Sequence, residues 1–169
     1  MHLIKVDSNG NLIWNQGYGW LFNLDSVFSE SMVKSSDGGF AIVGRWFNSS
    51  EFTADILVVK TNSDGISEWH KIYGAEVLGS EDTVAFSIDK TSEGNFVIFG
   101  TEAIPNTKAL LIKIDSLGTV LWKKTYRLGD GSWGESVKQA SDGGYILGGH
   151  SRIGFDKSSI WKVDPFGQI

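Results

Sequence analysis

Short apolar runs separated by polar, glycine-containing turns recur along the whole chain. The most strongly apolar runs lie at residues 56–59, 110–112 and 159–161, and runs rich in β-branched and aromatic residues lie at 40–44, 96–100 and 145–149. Such residues favour strands. No window of twelve residues has apolar side chains at the i, i+3, i+4 and i+7 spacing of an amphipathic helix. The pattern therefore predicts strands throughout and almost no helix.

One turn motif recurs at a regular spacing. It reads Asp-x-x-Gly or Asn-x-x-Gly, and in three copies a tryptophan follows the glycine by four residues. The glycine and tryptophan pairs are Gly10 and Trp14, Gly65 and Trp69, and Gly118 and Trp122, and a fourth glycine is Gly167. Successive glycines are 55, 53 and 49 residues apart. A period of about 50 residues indicates a repeat architecture.

A second turn motif lies between copies of the first. It reads Ser-Asp-Gly-Gly, with Asp37 and Gly38 in one copy and Asp142 and Gly143 in another, and it reads Ser-Glu-Gly-Asn at 92–95. An aspartate–glycine pair flanked by apolar runs is a strong hairpin signal, because glycine reaches positive φ at low cost. We interpret the acidic residues as turn residues that bond nearby backbone groups rather than as a catalytic set.

Together the two motifs define a unit of four strands. The first strand carries a repeated serine, the second follows the Ser-Asp-Gly-Gly turn, the third is apolar and ends in Lys-x-Asp or Lys-x-Asn, and the fourth carries the tryptophan. The units are predicted at 1–19 (partial), 20–74, 75–127 and 128–169 (partial), within one domain that spans 1–169. Four antiparallel strands in about 50 residues are typical of a β-propeller blade. The chain is therefore predicted to be all-β, with about thirteen strands in about three and a half blades.

These motifs resemble the blades of the quinoprotein-alcohol-dehydrogenase-like (PQQ-like) β-propeller family, in which an aspartate, a turn glycine and a docking tryptophan recur at the same spacing. The closer similarity is to a branch found in bacterial and archaeal surface and secreted proteins. The resemblance covers essentially the whole chain and implies a fold and an extracellular or cell-surface location rather than an activity. Kelch blades have a similar period, but Gly44 and Gly100 are followed by Arg45 and Thr101 instead of a second glycine.

Composition narrows the possible functions. Hydrophobic residues make up 41% and charged residues 21% of the 169 residues, as in a globular domain. The net charge of −5 and the lack of a long basic run argue against nucleic-acid binding, which requires a basic face. No apolar stretch approaches the roughly 20 residues of a membrane-spanning helix, and the chain does not begin with an apolar run of signal-peptide length.

Candidate catalytic and metal-binding groups are sparse. The chain has no cysteine, which excludes thiol catalysis and the adjacent cysteines with which the quinone-using members of the family hold their cofactor. The three histidines, His2, His70 and His150, form no pair at i, i+2 or i, i+4. The segment 7–11 resembles the start of a calcium loop but lacks the later carboxylates, and a hairpin turn is the favoured interpretation. We predict no catalytic residues, no metal site and no cofactor.

Residues that differ between the repeats are the better candidates for ligand contacts, because the repeated positions are needed by the scaffold. The strand with the repeated serine is predicted to be the innermost one. The predicted ligand contacts are its variable polar residues and exposed aromatic rings. The predicted ligand-binding set is Glu30, Lys34, Lys90, Glu135, Trp20 and Trp133, and Gln139 and Phe47 are further candidates of the same two kinds. The alternative is that these rings only cover the edges of the blades.

Two functions fit these observations. The favoured one is a non-catalytic binding or scaffold module of a surface or secreted protein, with a protein or a carbohydrate as ligand. The alternative is a fragment of a propeller enzyme, such as a quinoprotein-like oxidoreductase or a polysaccharide-acting enzyme. Because propellers have four to eight blades, we expect the remainder of a longer chain or a second copy of this one to complete the ring, and the longer chain is favoured.

Overall fold

A computed structural model describes residues 1–19, 26–48, 52–79, 82–103, 106–127 and 129–169. Within these ranges the chain forms thirteen strands: β1 (His2–Val6), β2 (Leu12–Gly17), β3 (Ser26–Lys34), β4 (Phe40–Asn48), β5 (Thr53–Thr61), β6 (Ser67–Tyr73), β7 (Thr83–Lys90), β8 (Phe96–Glu102), β9 (Lys108–Ile114), β10 (Val120–Tyr126), β11 (Gly131–Gln139), β12 (Tyr145–Ile153) and β13 (Phe155–Val163). The prediction of an all-β chain is confirmed. None of the described residues belongs to a helix that is long and apolar enough to cross a membrane.

One single-turn helix, α1 (Ala75–Leu78), interrupts the strands between β6 and β7. The Leu78 N–H donates to the carbonyl oxygen of Gly74 at 2.8 Å, and the Leu78 side chain is buried in the core between two sheets. A helix of one turn is too short to produce an apolar period in the sequence. This is why the sequence pattern did not reveal it.

The strands form four antiparallel sheets in chain order. The first sheet contains β1 and β2, the second β3 to β6, the third β7 to β10, and the fourth β11 to β13. Each strand pairs with the one that precedes it in its sheet, because short turns join consecutive strands. The second and third sheets therefore contain the predicted four strands per unit.

The turn between the third and fourth strands of a unit is held by its aspartate or asparagine. Asp115 Oδ1 accepts the backbone N–H groups of Leu117 at 2.9 Å and of Thr119 at 2.7 Å. Such side-chain bonds stabilise a turn by pairing its backbone donors. Gly118 takes a φ of 77° in this turn, a value that other residues adopt only with strain. Equivalent side-chain bonds form at Asp7, Asn62 and Asp164.

The four sheets stack face to face, with an apolar core at each of three junctions. In β8, Phe96 and Ile98 contribute to the core between the second and third sheets. Val97 and Phe99 contribute to the core between the third and fourth sheets. Successive side chains of a strand point to opposite faces, so a strand that is buried on both faces must be apolar at nearly every position. This burial explains the continuous apolar runs in the sequence.

The two edges of the stack are built differently. At one edge, the first strands β3, β7 and β11 lie beside one another. At the other edge, a tyrosine at the end of each fourth strand bridges to the turn glycine of the next sheet. The hydroxyl groups of Tyr18, Tyr73 and Tyr126 donate to the carbonyl oxygens of Gly65, Gly118 and Gly167 at 2.7, 2.8 and 2.8 Å. We call these contacts the tyrosine–glycine bridges.

The repeated tryptophans lie against the same glycines. A Cβ atom placed on Gly65 would lie 2.8 Å from the Trp14 ring, and one placed on Gly118 would lie 3.0 Å from the Trp69 ring. Both distances are shorter than ordinary van der Waals contact. The turn residue must therefore be glycine for two reasons, its positive φ and the ring that covers it.

Alanine substitutions at Gly118 and Gly10 distinguish the cost of the positive φ from the cost of crowding by the covering side chains. Gly118→Ala is expected to lower the free energy of unfolding by about 2–3 kcal/mol, because backbone strain adds to a clash of the new Cβ with the Tyr73 hydroxyl at 2.9 Å and the Trp69 ring at 3.0 Å. Gly10→Ala is the matched control, since Gly10 has a φ of 85° but no atom within 4 Å of an added Cβ, and we expect a loss of about 1 kcal/mol. Urea unfolding followed by tryptophan fluorescence measures both. Equal losses would contradict the role assigned to the side chains that cover Gly118.

Candidate functional site

The acidic residues of the second turn motif pair with lysines at the ends of the third strands. Lys60 Nζ lies 2.6 Å from Asp37 Oδ2, Lys113 Nζ lies 2.7 Å from Glu93 Oε2, and Lys162 Nζ lies 2.6 Å from Asp142 Oδ2. Two of these acids also bind backbone, because Asp37 accepts the Gly39 N–H and Asp142 accepts the Gly144 N–H. These carboxylates therefore hold turns within their own sheets, and the structure does not bring them together.

The sequence motif Lys-x-Asp or Lys-x-Asn marks the end of the third strand, and it does not by itself assign a partner to the lysine. Lys60, Lys113 and Lys162 each stand two residues before the next turn aspartate or asparagine. Each therefore recurs at a constant position in a unit that also carries an acidic turn residue. An acid and a base that recur together once per unit are a signal that could have predicted the ion pair.

Lys60 is the most buried of the three lysines, with 3% of its side chain exposed. Its ammonium group also lies 2.7 Å from Glu68 Oε2. Burial opposes the charged form of Asp37, but hydrogen bonds from Lys60 and Ser35 outweigh it and lower the pKa of Asp37 from 3.8 to about 2. Burial likewise opposes the charged form of Lys60, but its bonds to Asp37 and Glu68 raise its pKa above the ordinary value.

Replacing Lys60 with methionine tests how burial changes the contribution of the repeated lysine–carboxylate ion pair to the free energy of unfolding. Lys60→Met is expected to cost about 1–2 kcal/mol of unfolding free energy, because the bonds from its ammonium group to Asp37, Glu68 and the Thr61 carbonyl oxygen are lost, while the half-exposed acids regain water. Lys162→Met removes the equivalent pair where 44% of the lysine side chain is exposed, and we expect a clearly smaller loss, because solvent screens an exposed pair. Chemical denaturation of the two variants measures the difference, and a larger loss for Lys162→Met would contradict this interpretation.

The lowered pKa of Asp37 predicts a dependence of stability on pH. Because its pKa is about 2 in the folded chain and 3.8 ordinarily, Asp37 contributes stability above pH 4, and this contribution is lost as the pH falls towards 2. The free energy of unfolding should therefore decrease over this window. Asp37→Asn should show a shallower decrease than the unsubstituted chain when urea unfolding is repeated across the window, and parallel curves would count against the prediction.

The first strands β3, β7 and β11 have a β-bulge at the same place. The pairing of β3 with β4 skips Glu30, the pairing of β7 with β8 skips Phe86, and the pairing of β11 with β12 skips Glu135. A bulge leaves one residue unpaired and redirects its side chain. Two of the predicted ligand-binding residues, Glu30 and Glu135, thus occupy equivalent bulges.

Glu30 lies beside a cation and an aromatic ring. Its Oε1 is 3.4 Å from Arg45 Nε, and the Arg45 guanidinium lies 5.0 Å from the centre of the Phe28 ring. An aromatic face attracts a cation through its quadrupole, so the ring and the carboxylate together orient the guanidinium. We call Phe28, Glu30 and Arg45 the arginine group.

The fourth sheet repeats this arrangement with different side chains. His150 Nδ1 lies 3.0 Å from Glu135 Oε1, and the His150 and Trp133 rings stack with their centres 4.7 Å apart. The Arg152 guanidinium lies 5.5 Å from the centre of the Trp133 ring. Trp133, Glu135 and His150, which we call the histidine group, correspond in strand register to the arginine group.

The arginine group opens onto a cleft between the second and third sheets. The cleft has a volume of about 420 Å³ and is lined by Ser26, Phe28, Arg45, Phe47, Ala54, Asp82 and Val84. Asp82 has a φ of 56°, and its Oδ1 accepts the Ala54 N–H at 3.2 Å. Aspartate is one of the few residues that adopt a positive φ readily, because its short side chain can bond nearby backbone groups. The bond from the Ala54 N–H joins the two walls of the cleft.

Two larger grooves, of about 490 and 530 Å³, lie at the outer edge of the stack. One is lined by Tyr18 and Gly65 and the other by Tyr73 and Gly118. These residues form the tyrosine–glycine bridges that join the sheets. We therefore assign both grooves to the scaffold.

The structure divides the predicted ligand-binding residues among separate places. Glu30 lies in the arginine group, beside the cleft. Glu135 and Trp133 lie together in the histidine group. Lys34 and Lys90 end β3 and β7, at the opposite end of these strands from the cleft.

Sequence reasoning missed Phe28, Arg45 and His150 as members of a site. A signal was present, because an aromatic residue precedes the bulge glutamate by two positions in both units. A nitrogen-bearing side chain also follows Gly44 and Gly149 directly in the second strands. The remaining predicted ring, Trp20, lies outside the described residues.

The segment 7–11 forms a hairpin turn. Asp7 Oδ1 accepts the N–H groups of Asn9 and Asn11 at 2.9 and 2.8 Å, and Asp7 Oδ2 accepts the side-chain amide of Asn11 at 3.0 Å. Both carboxylate oxygens thus close the turn. Across the part of the chain that the structure describes, no three histidine, cysteine or acidic side chains gather as ligands for a metal ion.

Comparison with known proteins supports the fold alone. No family model matches the chain, and no curated protein matches it. The crystal structure of a protein of unknown function from Bacteroides caccae is similar over 95% of this chain, with a TM-score of 0.58 and 11% sequence identity. The match covers 48% of that protein, so this chain spans about half of its length. At this identity the similarity concerns the fold and carries no function.

Proposed function

We propose that this chain forms about three and a half blades of a PQQ-like β-propeller and acts as a non-catalytic, carbohydrate-binding module of a surface or secreted protein. The observation that carries the proposal is a contrast between two kinds of position. Residues that repeat in every unit hold turns and join sheets, whereas residues that vary between units line the cleft beside Arg45.

The two edges of the stack support the propeller arrangement. The first strands lie close together, whereas large tyrosine and tryptophan rings lie between the outer strands and the turns of the next sheet. Two neighbouring sheets that lie closer together at the inner edge than at the outer edge are inclined to each other. When successive sheets are inclined in the same direction, the stack curves around its inner edge, as propeller blades do around a central channel.

The walls of the cleft suit a sugar. Phe28 and Phe47 offer apolar rings that can pack against the C–H face of a sugar ring. Arg45 supplies hydrogen-bond donors, and Asp82 supplies acceptors. A sugar hydroxyl both donates and accepts, so it can use the two kinds of partner at once. A mostly apolar lining with a few convergent polar groups is typical of ligand sites.

The carboxylates near the cleft have structural partners, which supports binding rather than catalysis. Glu30 pairs with Arg45, and Asp82 accepts the Ala54 N–H. A catalytic acid or base must be able to reach the reacting group. Side chains that are held by an ion pair or a backbone bond are better placed to orient a ligand.

A glycan array probed with the labelled chain tests this function, with a peptide array probed in parallel. We expect selective binding to one class of glycan. Calorimetric titration with that glycan should then show at least about a tenfold weaker affinity for Arg45→Ala and for Phe47→Ala, which corresponds to about 1.4 kcal/mol.

Arg127→Ala is the matched control, because Arg127 is an exposed arginine outside the cleft and its removal should leave the affinity unchanged. Binding to peptides alone would replace carbohydrate with protein as the ligand class. Glycan binding that survives both cleft substitutions would disprove the proposed location of the site.

A further inference from the structure

Two side chains join the inner edges of the third and fourth sheets by accepting backbone hydrogen bonds. Asp89 Oδ2 accepts the N–H of Gln139 at 3.0 Å. The Gln139 side chain reaches back to the third sheet, where its Oε1 accepts the N–H of Ser92 at 2.7 Å. Both backbone donors at this junction therefore have a protein partner, as most backbone groups in folded proteins do.

The junction between the second and third sheets has no such acceptors. The strand registers place Val33 at the position of Asp89, and Lys90 at the position of Gln139. Val33 packs against the core between the second and third sheets, so its side chain faces this junction. Neither valine nor lysine has a side-chain atom that can accept a hydrogen bond.

Two backbone donors are consequently left open at this junction. The Thr91 N–H donates to the Asn95 carbonyl oxygen within the hairpin. Because successive residues of a paired strand point their N–H groups in opposite directions, the Lys90 N–H points away from β8, at the edge of its sheet. The second donor is the N–H of Ser36, an exposed residue that corresponds to Ser92. The described residues give neither donor an acceptor.

The two open donors are close enough to share one small ligand. At the next junction, Gln139 carries one of the equivalent N–H groups and contacts the other through its own side chain. The two groups are thus no further apart than one glutamine side chain can reach. The Ser36 hydroxyl also lies 3.4 Å from a Cβ placed on Gly94, which shows that the turns of the second and third sheets adjoin.

Lys90 adds a positive charge to these donors. Within the described ranges its ammonium group has no acidic partner. The acidic side chains of the two turns and of β7 are paired with other lysines, namely Asp37 with Lys60, Glu93 with Lys113 and Asp89 with Lys138. The charge of Lys90 is therefore available to a ligand.

We propose that this junction binds an oxyanion, that is, a carboxylate, sulfate or phosphate group. The oxygen atoms of the anion accept from the N–H groups of Lys90 and Ser36 and from the Lys90 ammonium group, in the places that Asp89 and Gln139 fill at the next junction. Water can satisfy an exposed N–H, but a cation beside two backbone donors at a sheet edge favours an anion. We call Ser36 and Lys90 the oxyanion site.

The oxyanion site is separate from the carbohydrate cleft. Lys90 ends β7 at the opposite end of the strand from the cleft. The chain has a net charge of −5, which opposes unspecific binding of anions elsewhere on its surface. The inference therefore does not depend on a glycan in the cleft, and it assigns a ligand class to Lys90, one of the contacts predicted from the sequence.

Amide NMR spectra recorded during a titration with sodium sulfate test the site. The resonances of Ser36 and Lys90 should shift and saturate, because an acceptor oxygen approaches their N–H groups, whereas sodium chloride at the same ionic strength should not move them. The amides of Ser92 and Gln139 already have protein acceptors and should shift much less.

Parallel titrations with sodium phosphate and sodium acetate identify the class of anion. Saturating shifts with acetate would support a carboxylate as ligand. Saturating shifts with sulfate and phosphate alone would support the site for tetrahedral oxyanions only.

Replacing Lys90 with glutamine should close the site. Lys90→Gln removes the charge and supplies the acceptor that Gln139 provides at the next junction, so we expect sulfate to bind at least about tenfold more weakly. Lys157→Gln is the matched control, because Lys157 is an exposed lysine of β13, and it should leave the affinity unchanged. The dispersion of the same spectra shows whether each variant is folded.

Three results would overturn the inference. The first is a lack of saturating shifts at Ser36 and Lys90 with all three anions, and the second is sulfate binding that Lys90→Gln leaves unchanged. The third is a sulfate titration that Arg45→Ala abolishes, which would place the anion in the cleft. Sulfate binding that survives Arg45→Ala would support the oxyanion site even if the chain bound no glycan.

Discussion

The arrangement of the sheets depends on one close contact, the one between a turn glycine and the aromatic side chains of the preceding sheet. Gly65, Gly118 and Gly167 each lie against a tryptophan ring and accept a tyrosine hydroxyl on their carbonyl oxygen. The hydrogen bond fixes the direction in which the outer strand approaches the turn of the next sheet, and the tryptophan ring fixes the distance between the two. Apolar cores then fill the space between the sheets. Without this fixed spacing at the outer edge, apolar faces alone would specify no particular angle between neighbouring sheets.

Equivalent positions of the repeated motif differ in burial from one sheet to the next. Lys60 and Lys162 stand at equivalent positions and each pairs with a turn aspartate, yet one side chain is nearly buried and the other is 44% exposed. Among the described residues, the fourth sheet packs against a neighbouring sheet on one face, and Lys162 is less covered there than Lys60, whose sheet packs against neighbours on both faces. Local sequence therefore determines which groups pair, and the position in the stack determines how strongly the pair affects stability.

Much of the fold could be predicted from sequence because its constraints are local and periodic. A strand buried on both faces is apolar throughout, and a turn such as that at Gly118 needs glycine, so both leave a pattern. The site was predicted only in part. Glu30 and Glu135 were identified from their variation between units, but the cation and the ring beside each glutamate were not. The glutamate, the cation and the ring come together because a bulge shifts the pairing of the first two strands of the unit. That shift depends on both strands, so it cannot be predicted from the sequence of one strand alone.

The same kind of contact joins each pair of neighbouring sheets, which bears on how the number of repeat units can change. Among the described residues, the apolar cores lie between sheets that follow one another along the chain, and the tyrosine and the glycine of each bridge recur about 50 residues apart. An inserted unit with the same tyrosine and turn glycine would therefore offer the same bridge to its neighbours. The tyrosine–glycine bridge is compatible with changes of length in complete units, while positions such as the bulge residue, which is Glu30 in one unit and Phe86 in the next, remain free to differ.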